Sequence, residues 1–399
     1  MEFDFSSIID RSGTHAIAVD VIPIPDAEIR PGFSRIPMWI ADMNFAVPPA
    51  IVKAMEARVQ HPCYGYFAMP DAYFDAIIRW QTERNGAAGL EKKHIGYENG
   101  VLGGVASAVQ AFSAPGDAVL LHAPTYVGFT GTMNGCGRRI VLSDLKRDEN
   151  GVWRMDYEDM DRKLKENNIH VAIFCTPHNP TGRVWERWEV ERAMEVYRDN
   201  DCLVVCDEIW SDLTLDGYTH IPPELVSEDA KNRTVALYAP SKTFNLAGLV
   251  GSYHIIYNDY LRDRVTRQAA LSHYNDANVL SVAALTGAYS DEGARWLGEL
   301  RTVLTENTAY AYDFLKEHVP GVELARPEGT YMLYLDCAKW CQAHGVTIDE
   351  LLRRGVSCGV IWQDGRPFNV DNTIRMNVAL PHALVVEAFD RLLKYAFCG

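Results

Sequence analysis

Up to about Phe45 the chain mixes turn signals (Arg11-Ser12-Gly13, Pro23, Pro25, Pro31-Gly32) with apolar pieces too short to build a core. That pattern reads as an arm packed on something else. Helical periodicity then begins. Pro48-Pro49 suits a first helical turn, and Ile51, Met55 and Val59 recur on one face. A second helix is expected from about Pro70, with Tyr73, Phe74, Ile77 and Ile78 on one side. It should stop at Asn85-Gly86, because glycine readily takes the left-handed conformation that closes a helix.

From there, short apolar runs alternate with helical stretches. Val101, Val105, Val109 and Phe112 mark a helix, and Ala118 to Leu121 a strand that ends at Ala123-Pro124. A charged helix follows Asp156, then the strand Val171 to Cys175 closed by Thr176-Pro177. A helix through Val190, Met194 and Tyr197 leads to the strand Leu203 to Cys206. Further strands are expected at Thr234 to Tyr238 and Gly251 to Tyr257. Continuous apolar strands separated by helices predict an α/β fold, a mostly parallel, mixed sheet sandwiched by helices. From Asp291 a long helix begins. The β-rich run Gly329 to Leu335, a helix, a strand and a closing helix then form a smaller α+β unit. The expected division is an arm (1–45), a large α/β domain (46–288) and a small domain (289–399).

Composition narrows the function classes. The 399 residues carry 53 acidic and 38 basic side chains, a net charge of −15. An acidic chain has no overall basic footprint for nucleic acid, and no apolar stretch approaches the ~20 residues a bilayer requires. The start, Met1-Glu2-Phe3-Asp4, lacks a charged-then-apolar leader pattern, so a cytoplasmic protein with no membrane or nucleic-acid partner is expected. Nine cysteines read as reduced, buried thiols. Cys202/Cys206 and Cys337/Cys341 have no matching ligand pair nearby, so no metal site is expected.

In a sheet of this kind ligands sit beyond the carboxyl ends of the strands. The residues expected there are Tyr126, Asn179 and Asp207, with Lys242 just after the strand Thr234 to Tyr238. A partly desolvated lysine favours the free amine needed for Schiff-base chemistry. A strand-end aspartate such as Asp207 can hold a ring nitrogen protonated. The Asn179 amide can donate to a phenolate-type oxygen, and the Tyr126 ring can lie over an aromatic cofactor. Asn99-Gly100-Val101-Leu102-Gly103-Gly104 opens a helix whose first amides suit a phosphate. Arg375, in Thr373-Ile374-Arg375-Met376-Asn377, offers a fork for a carboxylate. Taken singly, each of these is an ordinary snorkelling lysine, capping aspartate, turn asparagine or ion-paired arginine.

Their joint order (the Gly100 helix start, Tyr126, Asn179-Pro180-Thr181-Gly182, Asp207, Ser241-Lys242, Arg375) resembles fold-type I enzymes that use pyridoxal 5′-phosphate, the class I/II aminotransferase superfamily. Four segments look like the MalY/PatB group of cystathionine β-lyase-like carbon–sulfur lyases. They are Pro37-Met38-Trp39-Ile40-Ala41-Asp42-Met43, Tyr64-Gly65-Tyr66, Asp207-Glu208-Ile209 and the run from Ser241-Lys242 to Gly248. The resemblance implies that Lys242 forms the Schiff base with the cofactor and serves as catalytic base. It implies Asp207 at the pyridine nitrogen, Asn179 at the ring hydroxyl with Trp210 nearby, and Tyr126 stacked on the ring. Val101, Leu102 and Ser241 would hold the phosphate. Arg375, with Trp39 and Ala41, would receive a small amino-acid substrate. Tyr66 would reach the phosphate of the neighbouring subunit, implying a homodimer with shared active sites.

Departures from the pattern bear on the reaction. Aminotransferases of this type commonly have a phosphate-binding arginine where Val250 stands and a hydroxyl where Ala239 stands; apolar residues there resemble the lyase group instead. Trp210 occupies a usual tyrosine or histidine place, Asn44 replaces an aspartate, and Ala18-Val19 replace Lys-Trp. The segment Ile361 to Phe368 is also atypical, which bears on the substrate side chain. The expected activity is β-elimination from L-cystathionine or related cysteine S-conjugates to a thiol, pyruvate and ammonia. Transamination by the same residues is the alternative, and sequestration of a transcription activator, as a regulatory protein partner, is a further one.

Overall fold

The computed structural model describes residues 1–272 and 275–398. Its centre is a seven-stranded sheet: β1 (Ile95–Glu98), β2 (Ala118–Ala123), β3 (Arg139–Asp144), β4 (Val171–Cys175), β5 (Leu203–Asp207), β6 (Thr234–Tyr238) and β7 (Ser252–Ile255). The spatial order is β1-β7-β6-β5-β4-β2-β3. The five strands from β6 to β3 run parallel, while β7 is antiparallel to both neighbours. The expected mixed α/β sheet is therefore present.

Strand periodicity divides the core between the two faces. Ile173, Val205, Val235 and Leu237 point to one side, under the helices Val101–Phe112 and Asp259–Ala270. Ala172, Phe174, Val204 and Cys206 point to the other, under Tyr157–Glu166 and Arg187–Asp199. Both faces being covered explains why these strands read as unbroken apolar runs.

A second sheet has three strands, β8 (Met332–Asp336), β9 (Gln363–Asp364) and β10 (Thr373–Asn377), in the order β8-β10-β9. It lies in one continuous core with the arm, the helix Asp71–Asn85 and the long helix Asp291–His318. The arm is tied in at both ends. Phe5 packs on Phe45 and Trp296, and Ile36-Pro37 pair in parallel with Val360-Ile361.

The helix Pro49–Val59 starts on a proline as expected, and Gly86 closes Asp71–Asn85 at φ 69°. The expected stripe on the first of these is only partly covered: Ile51 is buried, Met55 half-buried and Val59 exposed. Two strands expected from the sequence are shorter or shifted, Gly251 to Tyr257 to Ser252–Ile255 and Gly329 to Leu335 to Met332–Asp336. All nine cysteines are free, but Cys63 and Cys398 are exposed, which corrects the expectation that all are buried; both lie outside packed elements. Among the described residues no group of three His, Cys, Asp or Glu could hold a metal ion, and no helix is long and apolar enough to cross a membrane.

Candidate active site

The carboxyl ends of β2, β4, β5 and β6 meet at one rim, and a cavity of about 430 Å³ opens there. Eleven of the residues singled out from the sequence line it: Trp39, Ala41, Val101, Leu102, Tyr126, Asn179, Asp207, Trp210, Ser241, Lys242 and Arg375. Tyr66 does not. It is fully exposed on the chain's outside, in a segment where Tyr64 and Phe67 are exposed too.

Lys242 stands in the short helix Pro240–Thr243 directly after β6. Its Nζ donates to the Ala41 carbonyl at 2.7 Å. Desolvation first, then the charge of Arg375, presses this amine down to about 8, so a useful fraction is unprotonated near neutral pH. Asp207 ends β5, is buried, and accepts one hydrogen bond, from the Ile209 amide at 3.1 Å. Burial raises its carboxyl to about 6, against the opposing pull of that amide and of Lys242. A carboxylate so poorly compensated has strong affinity for a cationic N–H.

Arg375 projects from β10 and is buried. Its Nη1 donates to Asn179 Oδ1 at 3.0 Å and its Nη2 to the Trp39 carbonyl at 3.3 Å, while the guanidinium lies 4.7 Å from the centroid of Phe368. Burial lowers it only to about 10, so it stays cationic at neutral pH. Its Nε–H has no partner among the described residues.

The segment 39–43 crosses the cavity as a strap whose five carbonyls are each held by a side chain. Arg375 takes that of Trp39, and Lys242 that of Ala41. Asn377 Nδ2 takes those of Ile40 at 2.7 Å and Asp42 at 2.5 Å, and Asn245 Nδ2 that of Met43 at 2.9 Å. Asn245 Oδ1 also accepts from the Met43 amide. The Trp39 indole N–H is anchored on the Ala18 carbonyl at 3.2 Å, so Ala18 serves the strap through its backbone. Asn245 and Asn377 were missed as site residues. A signal existed for Asn377, which stands two residues from Arg375 in a strand and so shares its face.

The fit to pyridoxal phosphate can be tested on these contacts. Val101 and Leu102 open a twelve-residue helix behind Gly100, at φ 73°, and among the described residues no side chain caps their amides. These are the free donors a phosphate takes. A Cβ on Gly128 would sit 2.4 Å from the Tyr126 ring, so this glycine makes room for that ring at the cavity. Trp210 is buried with its ring edge-on to Tyr331, centroids 4.7 Å apart. Amine, carboxylate, aromatic face and phosphate cradle thus surround one cavity, and the residues fit the cofactor.

The fold and this rim define a fold-type I, pyridoxal-phosphate type of architecture. Residues 38–392 match the family model "Aminotransferase class I and II", and the chain belongs to that family. It is 32% identical to cystathionine beta-lyase PatB of Bacillus subtilis (strain 168) over 392 residues, 98% of each chain. It is 30% identical to protein MalY of Escherichia coli (strain K12), over 84% of each. The crystal structure of the PLP-bound C-S lyase from Staphylococcus hominis superimposes with a TM-score of 0.88 at 28% identity, covering 98% of both chains.

Proposed function

We propose that the protein is a pyridoxal-phosphate-dependent carbon–sulfur β-lyase that cleaves L-cystathionine or related cysteine S-conjugates. The likeness to a cystathionine β-lyase over 98% of both chains carries this reading. Ala239, and Val250 where an arginine would mark many aminotransferases, agree with it.

Lys242 would hold the cofactor's aldehyde, Asp207 its ring nitrogen, Asn179 and Trp210 its hydroxyl side, and Tyr126 its face. The Val101 and Leu102 amides with Ser241 would hold its phosphate. When bound, the cofactor supplies an electron sink for negative charge developing at the substrate Cα. Arg375 binds the substrate α-carboxylate and orients the Cα–H bond. Lys242 Nζ, set free once the substrate's own amine takes its place at the aldehyde, would accept that proton. The Ala41 carbonyl accepts from this amine when it is free, as in the structure.

The working unit is a cytoplasmic homodimer. Val52, Val59, Tyr64, Tyr66 and Phe67 form an exposed apolar stretch of chain that a second copy would cover, bringing Tyr66 to the neighbour's phosphate. The chain divides into an arm (1–45), a cofactor domain (46–288) and a small domain (289–399) that carries Arg375.

Purified protein given L-cystathionine and S-ethyl-L-cysteine should release thiol, pyruvate and ammonia in equal amounts, and Lys242→Ala should release none. Keto acids formed from amino acids without a leaving group, with no pyruvate from the S-conjugates, would replace the lyase by a transaminase.

A further inference from the structure

The atypical stretch after Ile361 contains a group that the reaction has not yet used. Gln363 lines the cavity, and in the small sheet it is the direct cross-strand partner of Arg375. On the other flank Tyr334 is Arg375's partner, so Tyr334, Arg375 and Gln363 form one row across β8, β10 and β9. Directly opposed residues share a face with their Cβ atoms ~5 Å apart. The Gln363 amide therefore stands beside the guanidinium that receives the carboxylate.

Two buried atoms in this row lack partners among the described residues. One is Arg375 Nε, a donor, and the other is Gln363 Oε1, an acceptor. The Gln363 amide nitrogen makes no hydrogen bond either among the described residues. A buried polar group without a partner costs roughly 1–3 kcal/mol, so native sites rarely keep two side by side without a use. The pair is complementary, and the remaining donor, Nε2, belongs to a residue on the cavity wall.

We infer that Gln363 is a specificity-determining residue for the substrate's carboxylate: Oε1 turns to the Arg375 Nε–H while Nε2 donates to a carboxylate oxygen that Arg375 also binds. The inference rests on the proposed amino-acid substrate and deepens it. A neutral amide adds a directional donor without a second positive charge. It therefore favours a free carboxylate over an ester or a bare amine, and it adds a third hold on a fork whose Nη atoms already bind Asn179 and the Trp39 carbonyl.

The test uses cofactor-loaded protein and follows the cofactor's absorbance as ligand is added, so that binding is read without turnover. L-Alanine carries the carboxylate; 2-aminopropane is the same amine with a methyl group in its place. Gln363→Leu should weaken L-alanine about tenfold, the equivalent of ~1.4 kcal/mol, and leave 2-aminopropane within twofold. Gln363→Glu keeps the size but sets a negative charge beside the carboxylate. It should weaken L-alanine further than Gln363→Leu and again spare the amine. With S-ethyl-L-cysteine, Gln363→Leu should raise KM by a similar factor with kcat within about threefold. Unchanged L-alanine affinity in both variants, or equal losses for alanine and the amine, would overturn the assignment of Gln363 while leaving the lyase reading intact. Parent protein that takes up no cofactor band would instead remove the reading of the site, and this inference with it.

Discussion

An ammonium group buried beside a guanidinium is costly to keep charged, and Lys242 carries that cost in the protein stripped of cofactor. Its folded value of about 8 lies below the 10.5 of a free lysine. The penalty is fully present below pH 8, where both folded and unfolded chains are protonated. It disappears as pH rises from 8 to 10.5, where the folded chain is already neutral. Lys242→Met should therefore stabilise the cofactor-free protein at pH 7 by on the order of 1–2 kcal/mol, after allowing for loss of the bond to the Ala41 carbonyl. Urea midpoints measured at pH 7 and pH 10 check this, and a gain that grows with pH would contradict it. The same amine, once joined to a cofactor, has no such penalty, so cofactor binding and stability are coupled at one atom.

Between elements, the closest approaches are made by glycine. Gly287, in the helix Val279–Ala288, meets the helix Pro49–Val59 so tightly that a Cβ would lie 2.7 Å from the Ala50 carbonyl oxygen and 2.9 Å from Ile51 Cα. Both obstacles are backbone and cannot turn aside. In an exposed helix Gly→Ala would stabilise by ~1 kcal/mol. Here Gly287→Ala should instead destabilise by about 2–3 kcal/mol through overpacking, seen as a lower urea midpoint with unchanged slope. Gly128 differs in kind, because its obstacle is the Tyr126 ring, which can move. Gly128→Ala should leave the midpoint nearly unchanged and weaken cofactor retention about tenfold, ~1.4 kcal/mol of lost stacking, read by equilibrium dialysis.

For the assembled molecule, the decisive residue is Tyr66, which cannot serve its own chain's cavity from a fully exposed position. If the proposed homodimer shares its sites, Tyr66→Ala and Lys242→Ala damage opposite halves of each site. Co-refolding the two inactive variants should restore roughly a quarter of parental turnover, because half the dimers are mixed and each mixed dimer has one intact site. No recovery on mixing would place Tyr66 outside the site.

Local chemistry made much of this readable along the chain. The apolar runs of β4, β5 and β6 are strands buried on both faces, and the residues that follow them fall at the rim by topology alone. Asp207, Asn179 and Lys242 could thus be named from their places after strong local patterns. The helices Val127–Gly135 and Val279–Ala288 were not legible. The first is rich in glycine and threonine, and the second is apolar around most of its circumference, so neither shows a clear face. The edge strand Arg139–Asp144 was missed because its apolar residues are only half-buried. Beyond these, the site depends on register and burial. Gln363 is set opposite Arg375 by a two-residue strand with no periodicity to read, and Asn245 and Asn377 hold carbonyls hundreds of positions away. The amine at Lys242 titrates near 8 only because folding removes its water and brings Arg375 close. Periodicity acts between neighbours in the chain and is written in their order, whereas desolvation and cross-strand pairing exist only between groups that the finished fold brings together.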